Sequence, residues 1–153
     1  MSKLLIASDH AGFILKEKLI AYFRKKGIAI KDLGTYSTQS CDYPIYAYEL
    51  AKNISDKKYK RGILICKSGI GNSIVANRLP GVRAALCDNI KIAKLSRQHN
   101  DSNVLVLGSG FVKEGLAKRI AAAWLDTEFL GGRHLRRLKL INQIDKTIRS
   151  GAK

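Results

Sequence analysis

Residues 62–71, GILICKSGIG, carry a thiol at the end of an apolar run and at the mouth of a glycine-punctuated loop, with the helix-like stretch 72–78 beyond it. In a parallel α/β sheet that position is the carboxyl end of a strand, where ligands bind, and the start of a helix, whose N–H groups favour anions. The pattern therefore pairs a reactive thiolate, Cys66, with an anion cradle. Three more polar clusters stand beside other apolar runs: Asp9-His10, Asp42-Tyr43 and Arg97-Gln98-His99-Asn100-Asp101. All four are expected to converge on one rim of the sheet, a gathering of His, Asp, Tyr, Cys and Ser that suits a binding site.

Several loop chemistries can be tested against Cys66. A cysteine-phosphatase loop needs arginine six positions after its cysteine; position 72 is Asn, and neither Cys41 nor Cys87 has arginine at that spacing. A P-loop ends in Gly-Lys-Ser/Thr, where this chain reads Gly71-Asn72-Ser73. A dinucleotide fingerprint puts its third glycine at position 74, which is Ile. What remains is a thiol beside N–H groups able to stabilise an oxyanion. That pairing suits proton abstraction next to a carbonyl, because the developing enediolate is an anion.

The elements that must position these groups follow from hydrophobic periodicity. Near-continuous apolar runs at 4–7, 28–33, 62–66, 82–87 and 104–107 read as strands buried on both faces. Helical stretches alternate with them at 11–26, 44–58, 70–79 and 89–97, and two more follow at 112–126 and 134–149. Strand then helix, five times over, predicts a Rossmann-like three-layer α/β/α sandwich: a five-stranded parallel sheet with an extra C-terminal helix. Gly27 stops the first helix, Pro44 opens the second, and Pro80-Gly81 separates the third from the next strand. In the last helix Leu138, Ile141, Ile144 and Ile148 form an apolar stripe that must cover either the domain or a second subunit. No repeat or linker interrupts the pattern, so residues 1–153 are expected to form a single domain.

A chain of 153 residues can bury about 68–70% of its unfolded surface without staples. Its three cysteines are widely spaced, without a C-x-x-C pair, which argues against a disulfide framework or a structural zinc; Cys87 reads as core and Cys41 as incidental. Leu4–Ala7 is too short for a signal-peptide core, and no stretch approaches the roughly 18 apolar residues of a membrane span, so a cytoplasmic chain is expected. The net charge of +16 suggests a polyanion partner. Yet the basic residues interleave with apolar ones on every helix, as on solvated faces, and no aromatic-interleaved basic stripe appears, so a nucleic-acid-binding module on this fold is the remote alternative. Only the tail is concentrated, with seven basic residues against Asp145 over 131–153. A bound phosphate is a serious competitor for the Arg133–Arg137 cluster.

Taken in order and spacing, SDHAGF at 8–13, DLGT at 32–35, DYP at 42–44, GILICKSGIG at 62–71, AN at 76–77, GVRAALC at 81–87, LSRQHND at 95–101, NVLVLGS at 103–109 and GGRH at 131–134 resemble the ribose-5-phosphate isomerase B group. That group also contains allose-6-phosphate and galactose-6-phosphate isomerases. The resemblance implies isomerisation of ribose 5-phosphate to ribulose 5-phosphate through an enediolate, with the two hexose phosphates as alternative substrates. It makes Cys66 the base that moves a proton between C2 and C1, with the Ser68 hydroxyl close to the reacting oxygens. His99 opens the furanose ring, and Asn100 and Asp9 hold hydroxyls. Gly69 and Gly71 form the enediolate cradle, and Tyr43 lines the sugar pocket. His10, Arg133 and Arg137 hold the phosphate. The resemblance further implies a homodimer, possibly paired into a tetramer. Its site would lie between subunits, so that His99 of one chain serves Cys66 of the other, without metal or organic cofactor.

Two positions depart from that pattern. Lys67 stands where small residues are usual, and Gly110 where an arginine that helps bind phosphate is common. Lys113 is the candidate replacement for the missing arginine.

Overall fold

A computed structural model describes residues 3–151. Five parallel strands, β1 (Leu4–Ser8), β2 (Ile30–Asp32), β3 (Gly62–Cys66), β4 (Ala84–Leu86) and β5 (Val104–Gly108), form one sheet in the order β2-β1-β3-β5-β4. The register pairs Ile6 with Ile63 and Cys66 with Gly108. The three central strands are buried at every position. The edge strands are shorter than the apolar runs predict, three residues each and only partly covered, because an edge strand pairs on one side alone.

Helices α1 (Phe13–Lys25), α4 (Ile90–Asn100) and α5 (Glu114–Asp126) cover one face, and α2 (Tyr43–Ser55) and α3 (Ile70–Ala76) the other. Leu19, Phe23, Ile120 and Trp124 fill the first core layer; Leu50, Ala51 and Ala76 fill the second. The expected three-layer sandwich with its added C-terminal helix, α6 (Arg133–Ser150), is therefore what forms. The punctuation also holds: α1 ends two residues before Gly27, which takes φ +75°, and Pro44 lies in the first turn of α2.

The apolar stripe of α6 does less than its pattern suggests. Leu138 is buried, but Ile141, Ile144 and Ile148 are 42%, 57% and 71% exposed. The helix lies along the edge of the molecule and presents most of its apolar face outward.

Two contacts fix the carboxyl rim of the sheet. Lys16 of α1 is fully buried, and its ammonium meets Asp32 at the end of β2 at 2.5 Å, while the other oxygen of Asp32 accepts the Gly34 N–H at 2.9 Å. Gly12, just before α1, lies so close to β3 that an added Cβ would stand 2.6 Å from the Ile65 carbonyl oxygen. Because that obstacle is backbone, Gly12→Ala is expected to destabilise the fold by about 1–3 kcal/mol, the usual cost of overpacking. Urea denaturation measures it, and an unchanged midpoint would show that the helix moves aside freely.

Candidate active site

Cys66 ends β3, 4% exposed, and its Sγ accepts the Gly69 N–H at 3.2 Å. The turn that brings this N–H back onto the sulfur needs Gly69 in the left-handed region, at φ +80°, and a Cβ there would also stand 2.4 Å from Leu86 Cδ1. The Ser68 hydroxyl accepts the Ile70 N–H at 3.2 Å. The first-turn N–H groups of Gly71 and Asn72 have no acceptor among the described residues and remain open to an anion. Tyr43 roofs this loop: a Cβ on Gly71 would fall 2.4 Å from its ring.

Asp9 and His10 follow β1 on the same rim. Asp9 Oδ1 accepts the Gly12 N–H at 3.0 Å, so this buried carboxylate shapes the turn into α1 with one oxygen and keeps the other. His10 Nδ1 lies 3.1 Å from the Cys41 backbone N–H and 3.2 Å from the Cys41 carbonyl oxygen, so the backbone of residue 41 holds this edge of the ring and Nε2 is the nitrogen left for a ligand. Cys41 is thus not incidental; it orients a candidate phosphate ligand, through a backbone contact that side-chain chemistry does not announce.

The remaining groups gather elsewhere, contrary to the expected convergence on one rim. His99 and Asn100 lie in the last turn of α4 rather than in a loop. A helix joining two parallel strands returns to the edge where the next strand begins, so this turn lies at the amino rim. Contacts confirm it: Arg83, which precedes β4, donates to the Asn100 carbonyl at 2.9 Å, and Leu130 donates its N–H to the Gln98 carbonyl at 3.1 Å. The five residues of β3 at about 3.3 Å each separate the rims by about 16 Å, far beyond the reach of an imidazole.

Much of LSRQHND is structural support for that turn. The Asp101 carboxylate is shared by Arg97 at 2.7 Å and Arg83 at 3.2 Å, and Asp101 closes α4 at φ +44°. Buried Arg97 also donates to the Ser102 carbonyl at 2.6 Å. Ser102 Oγ in turn receives the Trp124 indole N–H at 2.8 Å. Asn100 is exposed and His99 partly so, and neither side chain takes part in that support.

His99 stacks on His134, with ring centroids 4.2 Å apart and planes 10° from parallel. His134, which sequence reasoning passed over inside GGRH, is 7% exposed in the first turn of α6, beside Arg133 and Arg137. Burial lowers its pKa below the ordinary 6.5, and the like charges of His99, Arg133 and Arg137 lower it further. Among the described residues no hydrogen bond, ion pair or ring contact joins this amino-rim group to the Cys66 group. A cleft of about 390 Å³ opens beside it between α6 and the start of β4, bordered by Asn100, Arg83 and Ile141. Cys87 is buried just past β4 as expected, its pKa raised to about 11 by burial.

The sequence pattern described as Ribose/Galactose Isomerase matches residues 4–141. The chain belongs to that family. Among Ribose/Galactose Isomerase relatives, ribose-5-phosphate isomerase B of Escherichia coli K12 is 44% identical, over 95% of this chain and 98% of that protein. Ribose-5-phosphate isomerase B of Clostridium thermocellum superposes with a TM-score of 0.93 at 42% identity, covering 95% of this chain and 99% of the other. The enzyme of Mycoplasma genitalium, solved with bound ribulose-5-phosphate, gives 0.90 at 38% identity over 94% and 96% of the two chains. Among the described residues no helix is long and apolar enough to cross a membrane, and no group of three or more His, Cys, Asp or Glu residues is placed to hold a metal ion.

The stacked histidines generate a pH test for the family fold. A depressed His134 pKa means that the unfolded chain binds more protons than the folded one between the folded value and 6.5. Stability is therefore complete above 6.5 and falls as pH drops through that window. His134→Phe, which keeps an aromatic ring against His99, is expected to lose less of its thermal midpoint below pH 6.5 than the native chain; parallel declines would remove His134 as the source.

Proposed function

We propose that the chain interconverts D-ribose 5-phosphate and D-ribulose 5-phosphate through an enediolate. The proposed enzyme is a cytoplasmic homodimer in which residues 1–153 form one catalytic domain. The observation that carries this reading is the Cys66 turn: a buried sulfur at a strand end, one backbone N–H directed at it, and the unpaired N–H groups of Gly71 and Asn72 beside it. Similarity to enzymes named ribose-5-phosphate isomerase B supports the substrate.

In this mechanism His99 assists ring opening, and the open-chain sugar lies across the loop. The Cys66 thiolate takes the proton on C2; the released electron pair forms the C1–C2 double bond, and the carbonyl oxygen on C1 gains the negative charge. The N–H groups of the loop and the Ser68 hydroxyl stabilise that oxygen, the interaction that strengthens as charge develops. The C2 hydroxyl proton then passes to the C1 oxygen; the C2 oxygen forms its carbonyl with the electron pair left on it, and the C1–C2 pair takes the proton back from Cys66 at C1, which regenerates the thiolate. Asp9 and Asn100 hold hydroxyls, Tyr43 closes the pocket, and His10 with Arg133 and Arg137 grips the phosphate.

Two half-sites on opposite rims favour a site completed by a second copy. The apolar residues left outside, Ile144 and Ile148 on α6 and Ile70 and Ile74 on α3, supply surface for that contact.

These claims are tested by catalysis and by complementation. Cys66→Ala is expected to lose about 10²–10⁴-fold in kcat, the range for a general base. It should still bind the substrate, while the native enzyme incorporates solvent deuterium into product. Normal turnover by that variant overturns the role of Cys66. Side-by-side kcat/KM values on ribose, allose and galactose phosphates are expected to favour the pentose. Second, Cys66→Ala and His99→Ala chains, each inactive, are co-assembled. About a quarter of native activity should return, since half of the dimers are mixed and each mixed dimer has one intact site. No recovery would assign both side chains to a single subunit.

A further inference from the structure

Lys67 follows Cys66 directly, and the far part of its side-chain stem lies beside Gly110. It folds back over the loop after β5, where Gly110 leaves room for it. A Cβ at position 110 would stand 2.9 Å from Lys67 Cε and 3.2 Å from Cδ. The two backbones are fastened as well: Ser109 donates its N–H to the Cys66 carbonyl at 2.8 Å, and Gly110 to the Lys67 carbonyl at 2.9 Å. The lysine stem is therefore seated on a fixed platform, while its ammonium stays exposed and meets no carboxylate among the described residues. Lys113, the residue expected to replace an arginine at 110, caps α5 instead and is not what lies against Gly110.

The charge balance of the carboxyl rim gives this ammonium a task. The groups around Cys66 include the carboxylate of Asp9, and His10 is a titratable ring. Arg133 and Arg137 lie at the other rim and reach a Cys66 loop only in a partner chain. A sugar phosphate brings close to two negative charges. An unpaired ammonium on an exposed side chain one residue from the base is suited to meet them.

We propose that Lys67 is a substrate-binding residue: seated against Gly110, it supplies from the Cys66-bearing chain a cation for the phosphate of the sugar. This inference rests on the isomerase reading above. It also makes positions 67 and 110 a coupled pair, in which a long cation at one position requires the absence of a side chain at the other.

The test uses the full-length native enzyme, Lys67→Gln, Lys67→Gly and the double variant Lys67→Gly/Gly110→Arg. Lys67→Gln is expected to raise KM for ribose 5-phosphate about tenfold, equivalent to about 1.4 kcal/mol, with kcat changed less than about threefold. The dissociation constant of inorganic phosphate, measured by calorimetry, should rise in parallel. The double variant is expected to recover most of the affinity that Lys67→Gly loses, because an arginine at 110 then has the space the lysine vacated. Unchanged KM and phosphate affinity in Lys67→Gln overturn the proposal, as does a loss confined to kcat, which would tie Lys67 to the Cys66 thiol instead. Failure of the isomerase reading would look different: the native enzyme itself would not turn over ribose 5-phosphate, while the phosphate titrations would still show whether Lys67 binds the anion. Since Lys67 is exposed, the far-UV circular dichroism melt of Lys67→Gln should match the native chain.

Discussion

Parallel strands impose a constraint that governs everything else in this molecule. Each connection must carry the chain from the end of one strand back to the start of the next, so every loop after a strand lies on one rim and every loop before a strand lies on the other. Cys66 ends a strand, and Asp9 and His10 follow one; His99 and Asn100 end a helix, and Arg133 comes after the loop that follows another. The two sets cannot meet within one chain, whatever rotamers they adopt. The arrangement of the candidate site is thus a property of topology before it is a property of side chains.

Within that frame, close backbone approach gives the carboxyl rim its rigidity. Gly12 lets α1 press on the end of β3, and Gly108 admits the Ser68 carbonyl, which would lie 2.6 Å from a Cβ there. The Cys66 turn is consequently held from three sides: by β5, by α1 and by the Tyr43 ring. Preorganisation of this kind matters because donors already aimed at the reacting oxygen need no reorientation when charge appears there. The amino rim is stiffened differently, by the Asp101 carboxylate between two guanidinium groups and by the hydroxyl chain from Trp124 through Ser102 to Ser96.

The amino-acid sequence discloses the architecture well and the site unevenly. Continuous apolar runs locate all five strands, since burial on both faces leaves no room for polar residues, yet the runs overstate β2 and β4, whose lengths are limited by having one neighbour. The Cys66 loop is legible because glycine spacing and a strand-end thiol are local features. The opposite placement of His99 is not legible from its own segment. Ending the predicted helix at 97 hides that His99 and Asn100 belong to a crossover helix, and in a parallel sheet such a helix ends at the far rim. Backbone-mediated roles are the hardest to foresee. Nothing in the letter at position 41 shows that its N–H orients His10, and nothing at 134 shows a ring stacked on His99.

The outward apolar face of α6 has a bearing on how such a chain lives in a crowded solution. Ile144 and Ile148 lie between basic residues such as Lys146 and Arg149, so each molecule carries greasy surface inside a positively charged fringe. Charge repulsion among chains of the same high sign opposes indiscriminate sticking, while a contact of the right shape buries enough hydrocarbon to overcome it. For an assembly of the proposed kind the basic excess would act as a filter, leaving the specific encounter available and making the disordered ones expensive.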